Sequence, residues 1–183
     1  NLPSEGKYYP EGHPLRKTGG QLEVKYMTAK EEDILTSTNL IANGTVMDRL
    51  LESIVVHTGV NPIELTTGDV NAVLIAARVL AYGKDYEVTI TCEECEESID
   101  TVVDLSQLEG PDDLIEVDED GYHHFTTGTG LDVVIRSMTR GDERDAEKNE
   151  KILQTKYNKK VSGIITSRLK LIIVSINGET DKN

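Results

Sequence analysis

The sequence has few aromatic side chains and no tryptophan, which limits the ligands that it can recognise. Aromatic residues make up 4% of the 183 residues, and only one of them is phenylalanine. Proteins that hold single-stranded nucleic acid usually stack its bases on exposed aromatic rings, so this composition argues against that class of binding protein.

Positive charge is scarce as well. The chain carries 19 Lys and Arg against 33 Asp and Glu, so its formal net charge is −14. Nucleic-acid backbones favour clustered Lys and Arg, and we therefore expect no nucleic-acid partner. The acidic excess instead favours high solubility or a basic protein partner.

Long hydrophobic runs and a framework of paired cysteines are also absent. The apolar stretch from Asp69 to Tyr82 is too short to cross a bilayer and is interrupted by Arg78, so we expect no membrane partner. The only cysteines are Cys92 and Cys95, which do not make the disulfide framework of a small secreted protein. Synthesis inside a cell is the simplest interpretation.

The stretch DVNAVLIAARVLAY (69–82) predicts a core helix. Apolar residues recur at the three- and four-residue spacing of one helical face, and other apolar residues cover most of the remaining surface. Thr66 or Thr67 can cap its start, and Gly83 can end it. A helix that is apolar nearly all round is typical of a protein core, so we expect the rest of the chain to surround it.

Around this helix the sequence predicts an α+β fold. Residues 21–27 alternate as a half-buried strand, and a capping-box pattern at Thr28 and Glu31 begins the first of three helices, of which the core helix is the third. Alternating runs after residue 86 predict two β-hairpins. A charged helix from Thr139 to Lys160 follows, and RLKLIIVSING (168–178) then predicts a strand or a helix that runs into one.

The predicted organisation is an extended N-terminal arm at 1–20 and a single α+β domain at 21–183. Within the domain we expect a helical half at about 28–83, a hairpin-rich half at about 86–138, and a late helix with a final strand at about 139–177. The arm is rich in Gly and Pro, which excludes a long helix and is typical of a solvated segment.

The arm and the late helix carry the candidate partner-binding residues. The arm has spaced apolar side chains that can press into a groove of a neighbouring protein. The late helix has too few apolar positions for a stable core stripe, which is typical of a helix that bridges to a partner. The candidates are Leu2, Tyr8, Tyr9 and Leu15 in the arm, and Ile152, Leu153 and Tyr157 in the late helix.

Cys92 and Cys95 are the most specific local signal. Two thiolates at this spacing, at the tip of a hairpin, form half of a tetrahedral zinc site. Three alternatives remain open: a reduced pair without metal, a pair completed by ligands outside this segment, and a redox disulfide without the usual thioredoxin-like setting. The histidines that remain as further ligands, none at a diagnostic spacing, are His13, His57, His123 and His124.

The other motifs do not predict an enzyme. The acidic segment from Asp112 to Asp120 lacks the spacing of a calcium loop and predicts an exposed loop. The TTGTG stretch (126–130) lacks the Gly-Lys-Thr of a phosphate loop, and no serine lies in a nucleophile-elbow context. We therefore expect a protein with no catalytic residues and no cofactor, except zinc if outside ligands complete the thiol pair.

Several stretches resemble one protein family in the same order along the chain. The most specific are MTAKEEDILTS (27–37), the core-helix segment that runs into YGKDYEV (82–88), and IVSINGETD (173–181). They resemble the baseplate hub protein family of T-even-like contractile-tailed bacteriophages, which includes a hub subunit and a hub assembly chaperone. The resemblance covers most of the chain and is weaker over residues 106–160.

The resemblance implies a non-enzymatic component of the tail baseplate that acts through contacts with other baseplate or tail proteins. It implies assembly in the host cytoplasm and, if the protein is retained, a location in the virion tail baseplate. One alternative is a hub assembly chaperone that leaves before the virion matures. A second alternative, from a different class, is a zinc-dependent regulatory or nucleic-acid-binding protein, which the net charge of −14 disfavours.

We expect the isolated 183-residue chain to hold clearly less than one zinc per molecule, because Cys92 and Cys95 supply only two of the four ligands of a tetrahedral ion. Metal analysis of the purified, dialysed chain measures this directly. One tightly held zinc per chain would contradict the expectation, and His57 would then be the first candidate ligand to replace.

Overall fold

A computed structural model describes residues 1–108, 110, 114–156 and 163–180 of the chain. The predicted α+β class is confirmed, because helices and antiparallel strands are both present. In this described part the elements follow in the order α1 (Pro14–Lys17), α2 (Ala29–Thr36), α3 (Thr38–Asn43), α4 (Val46–Ile54), α5 (Thr67–Tyr82), β1 (Asp85–Thr91), β2 (Ser98–Asp104), β3 (Tyr122–Thr126), β4 (Asp132–Arg136), α6 (Arg140–Lys156), α7 (Ile164–Ile172) and β5 (Ile173–Ile176).

The strands form two small antiparallel sheets. β1 pairs with β2 alone, whereas β4 lies between β3 and β5 in the second sheet. Both predicted hairpins are confirmed, with Cys92 and Cys95 at the tip of the first and the TTGTG stretch at the tip of the second. The final segment is a helix that runs directly into a strand, which was one of the two predicted forms.

The N-terminal arm supplies part of the hydrophobic core, so the prediction of an extended, solvated arm is wrong. Leu15, in α1, is fully buried and belongs to the same core cluster as residues of α4 and α5. The domain division at residue 20 stays a prediction. The buried core residues are Leu2, Tyr9, Leu15, Leu50, Leu51, Ile54, Val60, Leu65, Val70, Val73 and Ala77.

Two glycines in the arm allow close packing of its backbone and do not make the arm flexible. A Cβ atom on Gly6 would lie 2.2 Å from the carbonyl oxygen of Leu15, and one on Gly20 would lie 2.8 Å from the Cα of Glu5. Both glycines have positive φ, which residues with a Cβ rarely adopt. The glycine content therefore allows the arm to fold into a tight loop that brings Leu2 beside residue 20, with its N–H 2.8 Å from the Gly20 carbonyl.

The buried carboxylate of Asp69 holds the arm on the first turn of α5. It accepts hydrogen bonds from the backbone N–H of Ser4 at 3.1 Å, the Ser4 hydroxyl at 2.6 Å and the Tyr9 hydroxyl at 2.6 Å. The Tyr9 oxygen in turn accepts the N–H of Thr66 at 3.0 Å. Burial, and then the charge of Asp69, raise the pKa of Tyr9 far above its usual range, so its proton stays in the bond.

A second buried carboxylate, Glu31, ties α2 to α4. It accepts hydrogen bonds from the Ser53 hydroxyl at 2.5 Å and from the backbone N–H of Thr28 at 2.8 Å, and the Lys25 ammonium lies 2.9 Å away. The Ser53 hydroxyl has the largest effect among these donors, which together hold the pKa of Glu31 well below its usual range.

The predicted strand and first helix are both shorter in the structure. Residues 21–27 form only one isolated bridge, between Val24 and Val55, with backbone hydrogen bonds from Lys25 to Ile54 and from Val56 to Glu23 on either side of it. The helix predicted to start at Thr28 does so, but it ends at Thr36. Ser37 then adopts an extended backbone and its hydroxyl accepts the N–H of Leu40, so it caps α3 as a separate helix.

Helix α5 is not surrounded on every side in the described part of the chain. Val70, Val73 and Ala77 are buried on the face that meets the arm and α4. Leu80 and Tyr82, near its C-terminal end, are 46% and 50% exposed. The apolar pattern therefore predicted the helix itself correctly, but the prediction that the rest of the chain would cover it on every side is wrong.

The late helix is anchored at its beginning. It starts after Thr139 as predicted, and Arg140 reaches back to Asp48 on α4 at 2.7 Å. Arg136, at the end of β4, makes two hydrogen bonds to Asp142 at 2.6 and 2.7 Å. Ala146 is buried, so the first half of α6 belongs to the packed structure. The predicted continuation through 157–160 lies outside the described residues.

We expect Tyr9→Phe to lower the free energy of unfolding by about 1–3 kcal/mol, because it leaves a buried carboxylate without one donor and a buried N–H without its acceptor. Tyr8→Phe is the matched control. Within the described residues the Tyr8 hydroxyl makes one hydrogen bond, accepting the Ile115 N–H near the surface, so its loss should cost less than about 1 kcal/mol. Equilibrium urea unfolding measures both, and equal effects would contradict the role assigned to the Asp69 cluster.

Glu31 should make stability depend on pH. Its pKa is lower in the folded protein than the value of about 4.3 in an unfolded chain. Its contribution is therefore full above about pH 5 and is lost as the pH falls through the unfolded value towards the folded one. We expect Glu31→Gln to lower the urea midpoint at pH 7, with a difference from wild type that narrows below pH 5.

Urea unfolding of both proteins from pH 7 down to about pH 3 measures this narrowing. Glu23→Gln, at an exposed carboxylate, is the control and should match the wild type throughout. A difference between Glu31→Gln and wild type that stays constant with pH would show that Glu31 acts only through packing.

Candidate protein-protein interface

The β1–β2 hairpin is the least covered element of the described chain. Its strands pair with each other over seven residues, from Asp85 opposite Asp104 to Thr91 opposite Ser98. Neither strand packs extensively against any other helix or strand that the structure describes. A two-stranded hairpin in water is marginally stable by itself, so an uncovered hairpin of this length is a natural place for a partner to bind.

One face of this hairpin is apolar, and we call it the hairpin face. Directly opposite residues share a face, and residues two apart along a strand do so too. Ile90 and Ile99 lie opposite each other and are 56% and 63% exposed. The hairpin face consists of Tyr86, Val88, Ile90, Ile99, Thr101 and Val103.

The opposite face of the hairpin is polar and makes its own hydrogen bonds. The Thr89 hydroxyl donates to Asp100 at 2.7 Å, and the hydroxyls of Thr91 and Ser98 lie 3.1 Å apart. Val102, 58% exposed, is a large apolar residue on this side. This difference between the faces predicts that a partner would cover the hairpin face and leave the polar side in water.

The base of the hairpin is joined to the end of α5 through Arg78. Its guanidinium carbon lies 4.8 Å from the ring centroid of Tyr82 and 5.7 Å from that of Tyr86, within the range of cation–π attraction. Arg78 also donates to the carbonyl of Gly83 at 3.0 Å. The hairpin face therefore adjoins the exposed end of α5, where Tyr82 adds apolar surface.

The thiol pair lies at the tip of the hairpin, as predicted. Cys92 is half-buried and Cys95 is exposed, and they are not joined by a disulfide. The backbone N–H of Cys95 has the largest effect in lowering the pKa of the Cys92 thiol, followed by the N–H of Glu94 and the Cys95 side chain. Two amides directed at one sulfur favour its thiolate, which is the form that binds metal.

The structure brings no third ligand to these thiols among the residues it describes, where no group of three or more His, Cys, Asp or Glu side chains is arranged to hold a metal ion. His13 caps α1 by accepting the Leu15 N–H, and His124 lies 2.7 Å from Asp118. Zinc binding completed by outside ligands stays a prediction.

The predicted partner-binding residues lie in different environments. Leu2, Tyr9 and Leu15 are buried in the chain's own core, and Tyr8 is half-buried. Ile152 on α6 is 53% exposed. The side chain of Leu153 and the whole of Tyr157 lie outside the described residues, so their role stays a prediction.

Sequence reasoning identified the strands of the hairpin but did not select its apolar face as a site. The signal was present, since YEVTIT (86–91) and SIDTVV (98–103) both alternate. Alternation predicts one apolar face, but the same pattern fits a strand whose apolar face packs on its own core. Exposure, which decides between the two, depends on how the hairpin sits relative to the rest of the chain.

Comparison with known proteins assigns the chain to a family. A family model described as T4 bacteriophage base plate protein matches residues 2–178. The chain belongs to this family. As a base plate protein it is part of a multi-protein assembly of the phage tail, and the predicted baseplate identity is confirmed at that level.

The other comparisons add no relative. No curated protein and no solved structure gave a match to this chain. In the described residues of this base plate protein, no helix combines the length and the hydrophobicity that spanning a bilayer requires.

Proposed function

We propose that this base plate protein is a non-enzymatic hub component, which acts in baseplate assembly through contacts with other baseplate or tail proteins. Membership of the base plate family supports this role. The observation that carries it is the hairpin face, with Ile90 and Ile99 both more than half exposed on an element that other described elements barely touch. Apolar residues gathered on one exposed face are typical of surfaces that other proteins cover.

The packed part of the chain supports the same role. The Asp69 cluster and the Arg140–Asp48 ion pair hold the arm, α4, α5 and α6 in one arrangement. A rigid base of this kind fixes the exposed end of α5, to which Arg78 joins the base of the hairpin, and this lowers the entropy lost when a partner binds. A structural component benefits from such preorganisation because each of its contacts must form in the same geometry.

The test is quantitative mass spectrometry of baseplate intermediates and of mature virions from the phage that encodes this chain. A hub component should appear in both, at a constant ratio to another baseplate protein. Presence in intermediates with absence from mature virions would instead identify the assembly chaperone that leaves the particle. Absence from both would overturn the proposed role.

A further inference from the structure

The charge around the hairpin face identifies the kind of partner it takes. We propose that the β1–β2 hairpin docks onto a basic surface of another protein, with an apolar centre that covers Ile90 and Ile99, and not onto a second copy of this chain. This inference rests on the proposed function, because it names the partner chemistry for the surface that the function requires. Two independent observations carry it: the exposed apolar face, and the sign of the charge that borders it.

The apolar centre is a set of neighbouring side chains on one face of the hairpin. Ile90 and Ile99 are paired across the strands, and Tyr86 and Val103 extend the same face towards α5. Tyr86, Ile90 and Ile99 are exposed and Val103 is half-buried, on a side of the hairpin that makes few contacts with other described elements. Protein interfaces commonly place such residues at the centre and surround them with polar or charged groups.

The border of the hairpin face is acidic at the tip, next to the Ile90–Ile99 pair, while the acids within the two strands lie on the polar face. Residues 85–104 contain eight acidic side chains and no Lys or Arg. Four of the eight lie at the tip, where all are exposed, and Lys84 at the base is already paired with Asp104 at 2.7 Å. The tip residues are Glu93, Glu94, Glu96 and Glu97.

This charge selects against a second copy and against nucleic acid. If two hairpin faces met with their tips at the same end, the tip glutamates of one would face those of the other, and like charges brought together across an interface oppose binding. The whole chain, at −14, adds repulsion at longer range. A partner surface with an apolar centre bordered by Lys and Arg complements both the apolar hairpin face and the acidic tip.

The decisive experiment places a photoreactive benzoylphenylalanine at Ile99 or, as a control, at Val102, in the full chain during phage assembly. The two positions are 63% and 58% exposed and lie on opposite faces of the same hairpin, so any effect on folding is matched. After irradiation of purified baseplates, mass spectrometry identifies the cross-linked residues. We expect position 99 to cross-link several times more efficiently, to another baseplate protein, within a segment rich in Lys and Arg.

Charge is tested separately with paired variants. Glu93→Gln with Glu94→Gln removes two tip charges, and Glu11→Gln with Glu119→Gln removes two exposed charges elsewhere, so the change in net charge is the same. With the partner identified by cross-linking, purified, the tip variant should associate about tenfold more slowly at low salt, and the difference should shrink at high salt. The control variant should associate as the wild type does.

Several results would overturn the inference. These are cross-links from position 99 to a second copy of the chain or to an acidic segment, equal cross-linking at 99 and 102, and equal slowing by the two charge variants. The cross-links are measured in baseplates that already contain the chain, and the association rates with a purified partner identified there, so each of these results leaves the proposed function intact. Failure of the proposed function is a different result, namely absence of the chain from intermediates and virions.

Discussion

The buried carboxylate of Asp69 is the interaction on which the rest of the packed structure depends. A charge taken out of water is tolerated only when hydrogen bonds replace the lost hydration. Ser4 and Tyr9, which precede Asp69 by 65 and 60 residues, donate these hydrogen bonds. The Tyr9 oxygen also accepts the Thr66 N–H at the start of α5. Because the arm is held there, Leu2 and Leu15 become core residues, and α4 and α5 share one apolar interior.

The β1–β2 hairpin, unlike the packed base, leaves its apolar side chains exposed. Its polar side is satisfied by hydrogen bonds between its own strands, while its apolar side has little to pack on within the described chain. The protein thus combines a packed base, in which the buried carboxylates Asp69 and Glu31 are fully hydrogen-bonded, with an exposed apolar face bordered by acid at its tip. A base plate protein contacts other proteins in an assembly. In this chain the rigid packing and the uncovered apolar surface lie in different parts of the structure.

Features that depend on neighbours in sequence could be predicted well. The two hairpins follow from alternation interrupted by turn residues, and the position of the thiols at the first tip follows from the same pattern. The start of α2 after Thr28 follows from a local capping box, and the start of α6 after Thr139 follows from the helical propensity of the residues after it. The predictions that failed concern the arm, the strand at 21–27 and the complete burial of α5, all of which depend on contacts between distant residues.

The sequence by itself determined the α+β class, the hairpins and the acidic character of the surface, since periodicity, turn chemistry and charge are properties of short segments. Only the tertiary structure decided that Gly6 and Gly20 permit close packing rather than flexibility, because the atoms that would clash with a Cβ there come from other parts of the loop. It likewise decided which alternating strand keeps its apolar face exposed. Burial is a property of the whole chain in space, and no local pattern specifies which apolar face the other elements will cover.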